Sequence, residues 1–199
     1  MKKIAVTALV FLLVLTALSS FAEKLPEFYK EPKVDFETII SNEIAGTEYV
    51  KQHYTPEEGC VAIPTVVAYK VLSGPQTFVY GYFSVDLFRL EDYQLEGVDG
   101  GGYFGVITLE KTGDDWKITN EEYAREDMDA HFKADVERFA DGDDELLGQY
   151  MNEYRNYTLI ESAFYSNVCE YLDQNHLNST VYSVRFPGSE HPISLYSAN

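Results

Sequence analysis

The sequence predicts an α+β fold in which an antiparallel β-meander of four to five strands is packed by an N-terminal helix and by C-terminal helices. Two observations lead to this prediction. The middle of the chain is rich in strand-forming residues and short turns, whereas the segments before and after it repeat apolar residues at helical spacing. Consecutive strands joined by short turns pair antiparallel, because a parallel pair needs a crossover of about a dozen residues or more.

The N-terminus has the pattern of an export signal. Two lysines are followed by an almost wholly apolar run over residues 4–18, and small residues stand at Ser20 and Ala22. Because a spanning helix needs about 20 apolar residues, the shorter run and the small residues favour a cleavable signal. We predict a signal peptide at residues 1–22, a secreted or periplasmic location, and no membrane span after signal removal.

The rest of the chain is predicted to be one domain. Residues 23–34 contain two prolines among alternating charges, which predicts an extended lead-in. Residues 35–199 show no linker and no change of composition, so we assign them to a single α+β domain. Its first helix is expected to begin at Asp35 and to be interrupted near Gly46. The apolar face of that helix consists of Phe36, Ile39, Ile40 and Ile44.

Strands are predicted over residues 60–72, 78–90, 103–111 and 116–119. The second of these alternates most regularly between apolar and polar residues. We interpret the glycine triplet at residues 100–102 as a flexible connection between the second and third strands. A last extended piece over residues 180–186 is expected to pair with an edge of the sheet.

Two helical regions follow the meander. Apolar residues recur at helical spacing over residues 128–139 and again over residues 145–174, where Asn156 is expected to bend or divide the helix. The acidic run between them superficially resembles a calcium loop, but it lacks the glycine and glutamate that an EF-hand requires. We therefore expect Asp143 or Asp144 to cap the later helix.

Composition excludes several functions. The chain has 33 acidic and 15 basic residues and a net charge of −18, so nucleic acid is not an expected partner. The histidines do not fall at metal-ligand spacing, and no phosphate-binding loop or nucleophile elbow occurs. The sequence therefore predicts no catalytic residue, no metal and no cofactor. Cys60 and Cys169 either form one disulfide, as export favours, or remain two buried thiols.

Aromatic residues are unusually frequent in and beside the predicted sheet. If no helix covers the even-numbered face of residues 78–90, Tyr80 and Tyr82 would form an exposed strip suited to a peptide or a glycan. With Tyr103, they are the predicted ligand-binding residues. The alternative is that helices cover both faces and that these rings belong to the core.

The order of elements resembles that of an uncharacterised bacterial extracytoplasmic domain, found alone or attached to membrane zinc metallopeptidases of the beta-lactam sensor and antirepressor type. The resemblance covers most of the chain after the signal, but residues 123–127 read Tyr-Ala-Arg-Glu-Asp where that family has Trp-Pro-Arg-Asp-Gly. It implies a sensing or partner-binding module without peptidase activity. The similar segments are residues 36–44, 79–83, 104–111, 114–118, 134–139 and 171–178.

Three functions follow from these observations. The first is a secreted or periplasmic, non-enzymatic binding or sensing domain whose partner is an unknown protein or peptide of the cell envelope. The second is an extracytoplasmic hydrolase that uses the acids over residues 121–127 or the two thiols, since neighbouring carboxyls in different environments can act as acid and base. The third is a domain without a ligand that only contacts a membrane peptidase.

Overall fold

The structure is a computed structural model that describes residues 25–28, 35–54, 58–181, 183–187 and 189–195. The predicted signal peptide and most of the lead-in lie outside the described residues. Within the described ranges, no helix is both long enough and apolar enough to cross a membrane.

Helices precede and follow a block of four strands, so the structure has an α+β fold and confirms the predicted class. The elements in chain order are α1 (Phe36–Glu43), a 3₁₀ turn (Ile44–Gly46), α2 (Glu48–His53), β1 (Val61–Leu72), β2 (Gln76–Glu91), β3 (Gln94–Thr112), β4 (Asp115–Tyr123), α3 (Asp129–Ala140), α4 (Asp144–Asn156), α5 (Thr158–Gln174), β5 (Ser183–Arg185) and β6 (Ile193–Ser194).

The sheet is mixed, so the prediction of a purely antiparallel meander is wrong. Strands β1 to β4 do pair antiparallel in sequence order. One edge of the long strand β3 pairs with β2, whereas its other edge is shared: β4 pairs with its C-terminal half, and β5 pairs parallel with residues 94–96. The parallel pairing is possible because the three helices α3 to α5 form a long crossover between β4 and β5.

The glycine triplet lies inside β3, which corrects its interpretation as a hairpin connection. The β2–β3 turn is instead at Asp92 and Tyr93, which both have positive φ. Gly100 and Gly102 make room for side chains of β2, and Gly101 makes room for the Tyr54 side chain that follows α2. A Cβ atom on Gly102 would lie 1.8 Å from the Tyr82 hydroxyl oxygen, so the ring of Tyr82 occupies the space that a side chain at residue 102 would need.

The predicted helix boundaries are confirmed at three places. The Asp35 carboxylate accepts the Thr38 N–H at 2.8 Å and caps α1. The Asp143 carboxylate accepts hydrogen bonds from the backbone N–H groups of Glu145 and Leu146, so it caps the N-terminus of α4. Tyr157, in the left-handed conformation, separates α4 from α5 directly after Asn156.

Helices pack on both faces of the sheet. Side chains of α1 and of the turn after it cover the face that carries Val79, Phe83 and Val85. The opposite face carries the even-numbered residues of β2, and α3, α4 and the start of α5 cover it around Phe104. The later part of α5 packs on Phe88 at the far end of the same strand. Each face is covered only in part, which leaves room for a groove.

Candidate functional site

A groove of about 560 Å³ lies on the even-numbered face of the sheet, beside the C-terminal end of α3. Strands β2, β3 and β4 form its floor, and α3 forms one wall. The groove is lined by Gln76, Phe78, Tyr80, Val106, Thr108, Glu110, Thr119, Asn120, Glu122, Arg138, Phe139 and Asp141. Concave sites with an apolar base and a few polar groups are the usual form of a ligand site in a protein.

The rings of Phe78 and Tyr80 are the apolar part of the groove floor, and the charged side chains of Glu110, Glu122, Arg138 and Asp141 form what we call its rim. Phe78 and Tyr80 are half-buried and pack against the core cluster beneath α3 and α4. On the rim, Arg138 donates to the Glu122 carboxylate at 2.9 Å, and its guanidinium carbon lies 4.5 Å from the centre of the Phe139 ring. This arrangement suits a ligand with an apolar body and a charged or polar group.

A bidentate ion pair fixes α3 beside the groove. The guanidinium of Arg125, just after β4, donates to both carboxylate oxygens of Asp135 at 2.8 and 3.1 Å, and the Arg125 backbone N–H donates at 3.1 Å. These hydrogen bonds from Arg125 lower the pKa of Asp135. Because Asp135 lies one turn before Arg138 on the same helix, the pair joins the residue after β4 to the part of α3 that lines the groove.

We expect Asp135→Asn to lower the free energy of unfolding by about 1–3 kcal/mol, because a largely buried charged acceptor of three hydrogen bonds is lost. Glu137→Gln on the same helix is the matched control. Its carboxylate forms an exposed pair with Lys133 at 3.6 Å, so we expect a change within about 0.5 kcal/mol. Urea unfolding of both variants measures the difference, and equal effects would contradict the role of Asp135.

A buried polar site lies further along β2 from the groove. Ser84 donates to the Asp86 carboxylate at 3.3 Å. Burial raises the pKa of Asp86 to about 7, and the Ser84 hydrogen bond offsets part of that shift. Tyr82 lies over Gly102 on this face, and burial also raises its pKa, with Asp86 as the next cause. A carboxyl in this environment can take up and release a proton near neutral pH.

Tyr103 lies on the opposite face of the sheet, within a cluster of tyrosines. Its hydroxyl is 2.8 Å from that of Tyr54, and its ring centre is 5.2 Å from that of Tyr49 and 5.1 Å from that of Tyr123. The rings pack on one another. Burial is the first cause of the raised pKa values of Tyr49, Tyr54 and Tyr123.

The three tyrosines predicted as ligand-binding residues are therefore not brought together. Tyr80 lines the groove, Tyr82 lies over the glycines of β3, and Tyr103 belongs to the cluster on the other face. Ligand binding by any of them stays a prediction. Arg138 and Asn120 also line the groove but could not be identified from the sequence, because periodicity does not show which face of the sheet α3 packs on.

The acids over residues 121–127 point to different neighbours. Glu121 accepts from the Tyr123 hydroxyl at 2.7 Å on the face of the tyrosine cluster, whereas Glu122 pairs with Arg138 in the groove. Burial raises the pKa of both Glu121 and Glu126. Asp127 is bound to His131 at 2.9 Å, and this contact lowers its pKa. Alternating strand geometry thus separates the two acids that are adjacent in sequence.

Cys60 and Cys169 are both partly exposed thiols in the structure. Burial, followed by the nearby Asp173, raises the pKa of Cys169 and so disfavours its nucleophilic thiolate. The disulfide between the two cysteines stays a prediction. Within the described ranges, no three histidine, cysteine or acidic side chains are arranged to hold a metal ion.

Comparison with known proteins found no matching family model, no matching curated protein and no matching solved structure.

Proposed function

We propose that this protein is a non-enzymatic binding or sensing domain, secreted or periplasmic, whose ligand lies in the groove between the sheet and α3. The observation that supports this proposal is the groove itself, in which the half-buried rings of Phe78 and Tyr80 lie among polar side chains of β3, β4 and α3. Such a surface binds an apolar group and orients it by hydrogen bonds and charges.

The proposed ligand is a protein or peptide of the cell envelope. The export signal predicted from residues 1–22 supports a location outside the cytoplasm. The resemblance to a domain that accompanies membrane zinc metallopeptidases supports a role in envelope signalling. In such a role, this domain would bind the ligand and a membrane protein would respond to the bound state.

Hydrolase activity has less support. A general acid and a general base must both reach one substrate, but Glu121 and Glu122 extend to opposite faces of β4. Glu126 instead accepts a backbone hydrogen bond from Phe104. The binding function requires no such convergence of acids.

We expect Tyr80→Ala to weaken ligand binding about tenfold or more, because it removes a ring from the floor of the groove. Tyr93→Ala is the matched control, since Tyr93 is 64% exposed in the β2–β3 turn, away from the groove. Peptides selected from a random library, together with peptidoglycan fragments, serve as ligands in calorimetric titrations of folded variants. Equal loss in both variants, or no selected ligand, would contradict the proposal.

A further inference from the structure

The charges around the groove indicate which class of ligand it accepts. Three of its twelve lining residues are carboxylates, Glu110, Glu122 and Asp141, and one is a cation, Arg138. Asp141 also ends α3, where the helix dipole adds a partial negative charge. The groove is therefore acidic, in a chain whose net charge is −18.

The single cation among the lining residues is already engaged. Arg138 donates to Glu122 at 2.9 Å and lies over the Phe139 ring at 4.5 Å. An anionic ligand would have to compete with Glu122 for this guanidinium. A cationic ligand would instead compete with Arg138 for Glu122, and it would find Glu110 and Asp141 on the same rim.

The floor adds a second requirement. The half-buried rings of Phe78 and Tyr80 give the same groove apolar surface beside its carboxylates. Lysine and arginine side chains match this arrangement, since each has an apolar stem and a cationic head. The faces of aromatic rings attract the same cations. A ligand with both properties gains from the floor and the rim together.

We propose that the groove binds an extended peptide segment through a lysine or arginine side chain, with its stem over Phe78 and Tyr80 and its head among Glu110, Glu122 and Asp141. This inference rests on the proposed binding function and adds the chemistry of the ligand. The charge of the chain steers basic partners towards it and repels a second copy.

The substitution Arg138→Gln distinguishes a cationic ligand from an anionic one, because it should affect their binding in opposite directions. Its side chain is 57% exposed, so its replacement is expected to leave the fold intact. Removing Arg138 frees Glu122 and makes the groove more acidic. A cationic peptide should then bind several-fold more tightly, whereas an anionic peptide should bind more weakly.

The experiment titrates the full chain with three blocked pentapeptides, in which valine alternates with lysine, glutamine or glutamate. We expect only the lysine peptide to bind. Its affinity should fall about fivefold in Glu110→Gln and in Asp141→Asn and should stay unchanged in the control Glu161→Gln, which lies on the exposed side of α5. It should rise in Arg138→Gln.

Several outcomes would overturn this inference. Preferred binding of the glutamate or glutamine peptide, or weaker binding of the lysine peptide to Arg138→Gln, would show a different ligand chemistry. Spermidine binding as tightly as the lysine peptide would assign the groove to free polyamines. If all three pentapeptides fail while library peptides bind in a Tyr80-dependent way, this inference fails and the binding function stands. If the library also fails, both fail.

Discussion

Gly81→Ala should destabilise the fold by about 3 kcal/mol or more, the largest effect we expect from a single added methyl group. Gly81 lies in the middle of β2, where it pairs with Ala68 and Gly105. A Cβ atom at this position would lie 2.1 Å from the carbonyl oxygen of Val67. Because that oxygen belongs to the backbone of β1, the strand itself would have to move.

The close approach at Gly81 follows from the curvature of the sheet. The β1–β2 register shifts between Ala68 and Lys70, so Tyr69 is an extra residue in β1. Such a bulge bends the strand and increases its twist, and a glycine beside it permits the tight bend. The ring of Tyr69 then packs edge-on against Tyr150, whose hydroxyl donates to the Gly105 carbonyl at 2.6 Å. Tyr80, next to Gly81, reaches the groove from this bend.

Gly148→Ala is the matched control for this substitution. Gly148 lies in the middle of α4, and an added Cβ would meet nothing within 4 Å. Because alanine favours a helix more than glycine does, we expect this variant to be more stable by about 0.5–1 kcal/mol. Thermal and urea unfolding of both variants measure the contrast. A Gly81→Ala protein as stable as the parent would contradict the packing described for β1 and β2.

Local sequence signals predicted the individual elements well. Alternation over residues 78–90 predicted most of β2, which extends over Gln76–Glu91, because one face of a strand repeats every second residue. The cap at Asp143 was also predictable, since a carboxylate placed before a helix satisfies its first amides. Both features depend on residues that are close in sequence.

The candidate site was less predictable, because it depends on the register of the strands and on contacts between elements that are far apart in sequence. The glycine triplet favoured a turn at residues 100–102, whereas the turn lies before it in the chain, at Asp92 and Tyr93. With the true register, Tyr103 pairs with Phe83 and therefore lies on the face opposite Tyr80. The contact between Arg138 and Glu122 joins helix α3 to strand β4. The apolar repeat of a helix or of a strand does not show which other element it contacts.

The second large effect concerns the stability of Asp86→Asn as a function of pH. Burial raises the pKa of Asp86 to about 7 in the folded protein, whereas an aspartate in an unfolded chain has a pKa of about 3.9. Between these two values the folded protein holds a proton that the unfolded chain has released. The contribution of Asp86 to the free energy of unfolding therefore falls as pH rises from about 4 to about 7. Above pH 7 the whole cost of ionising the buried carboxyl lowers the stability of the fold.

Asparagine removes this penalty because it carries no charge at any pH and can still accept the hydrogen bond from Ser84. The difference between a pKa of about 7 and one of about 3.9 corresponds to about 4 kcal/mol. Because the Asp86 side chain keeps some contact with solvent, we expect about half of that free energy. Asp86→Asn should stabilise the protein by about 2 kcal/mol at pH 8.5 and by less than half as much at pH 5.

The control for Asp86→Asn is Asp114→Asn, in the exposed β3–β4 turn, which should change stability equally at both pH values. Urea unfolding at pH 5 and pH 8.5 of the parent chain and both variants gives the differences directly, since titration of all other groups cancels between parent and variant. If the stability gained by Asp86→Asn does not grow with pH, Asp86 is ionised at little cost in the folded protein. The carboxyl would then sit in a more hydrated site than its packing over Gly100 implies.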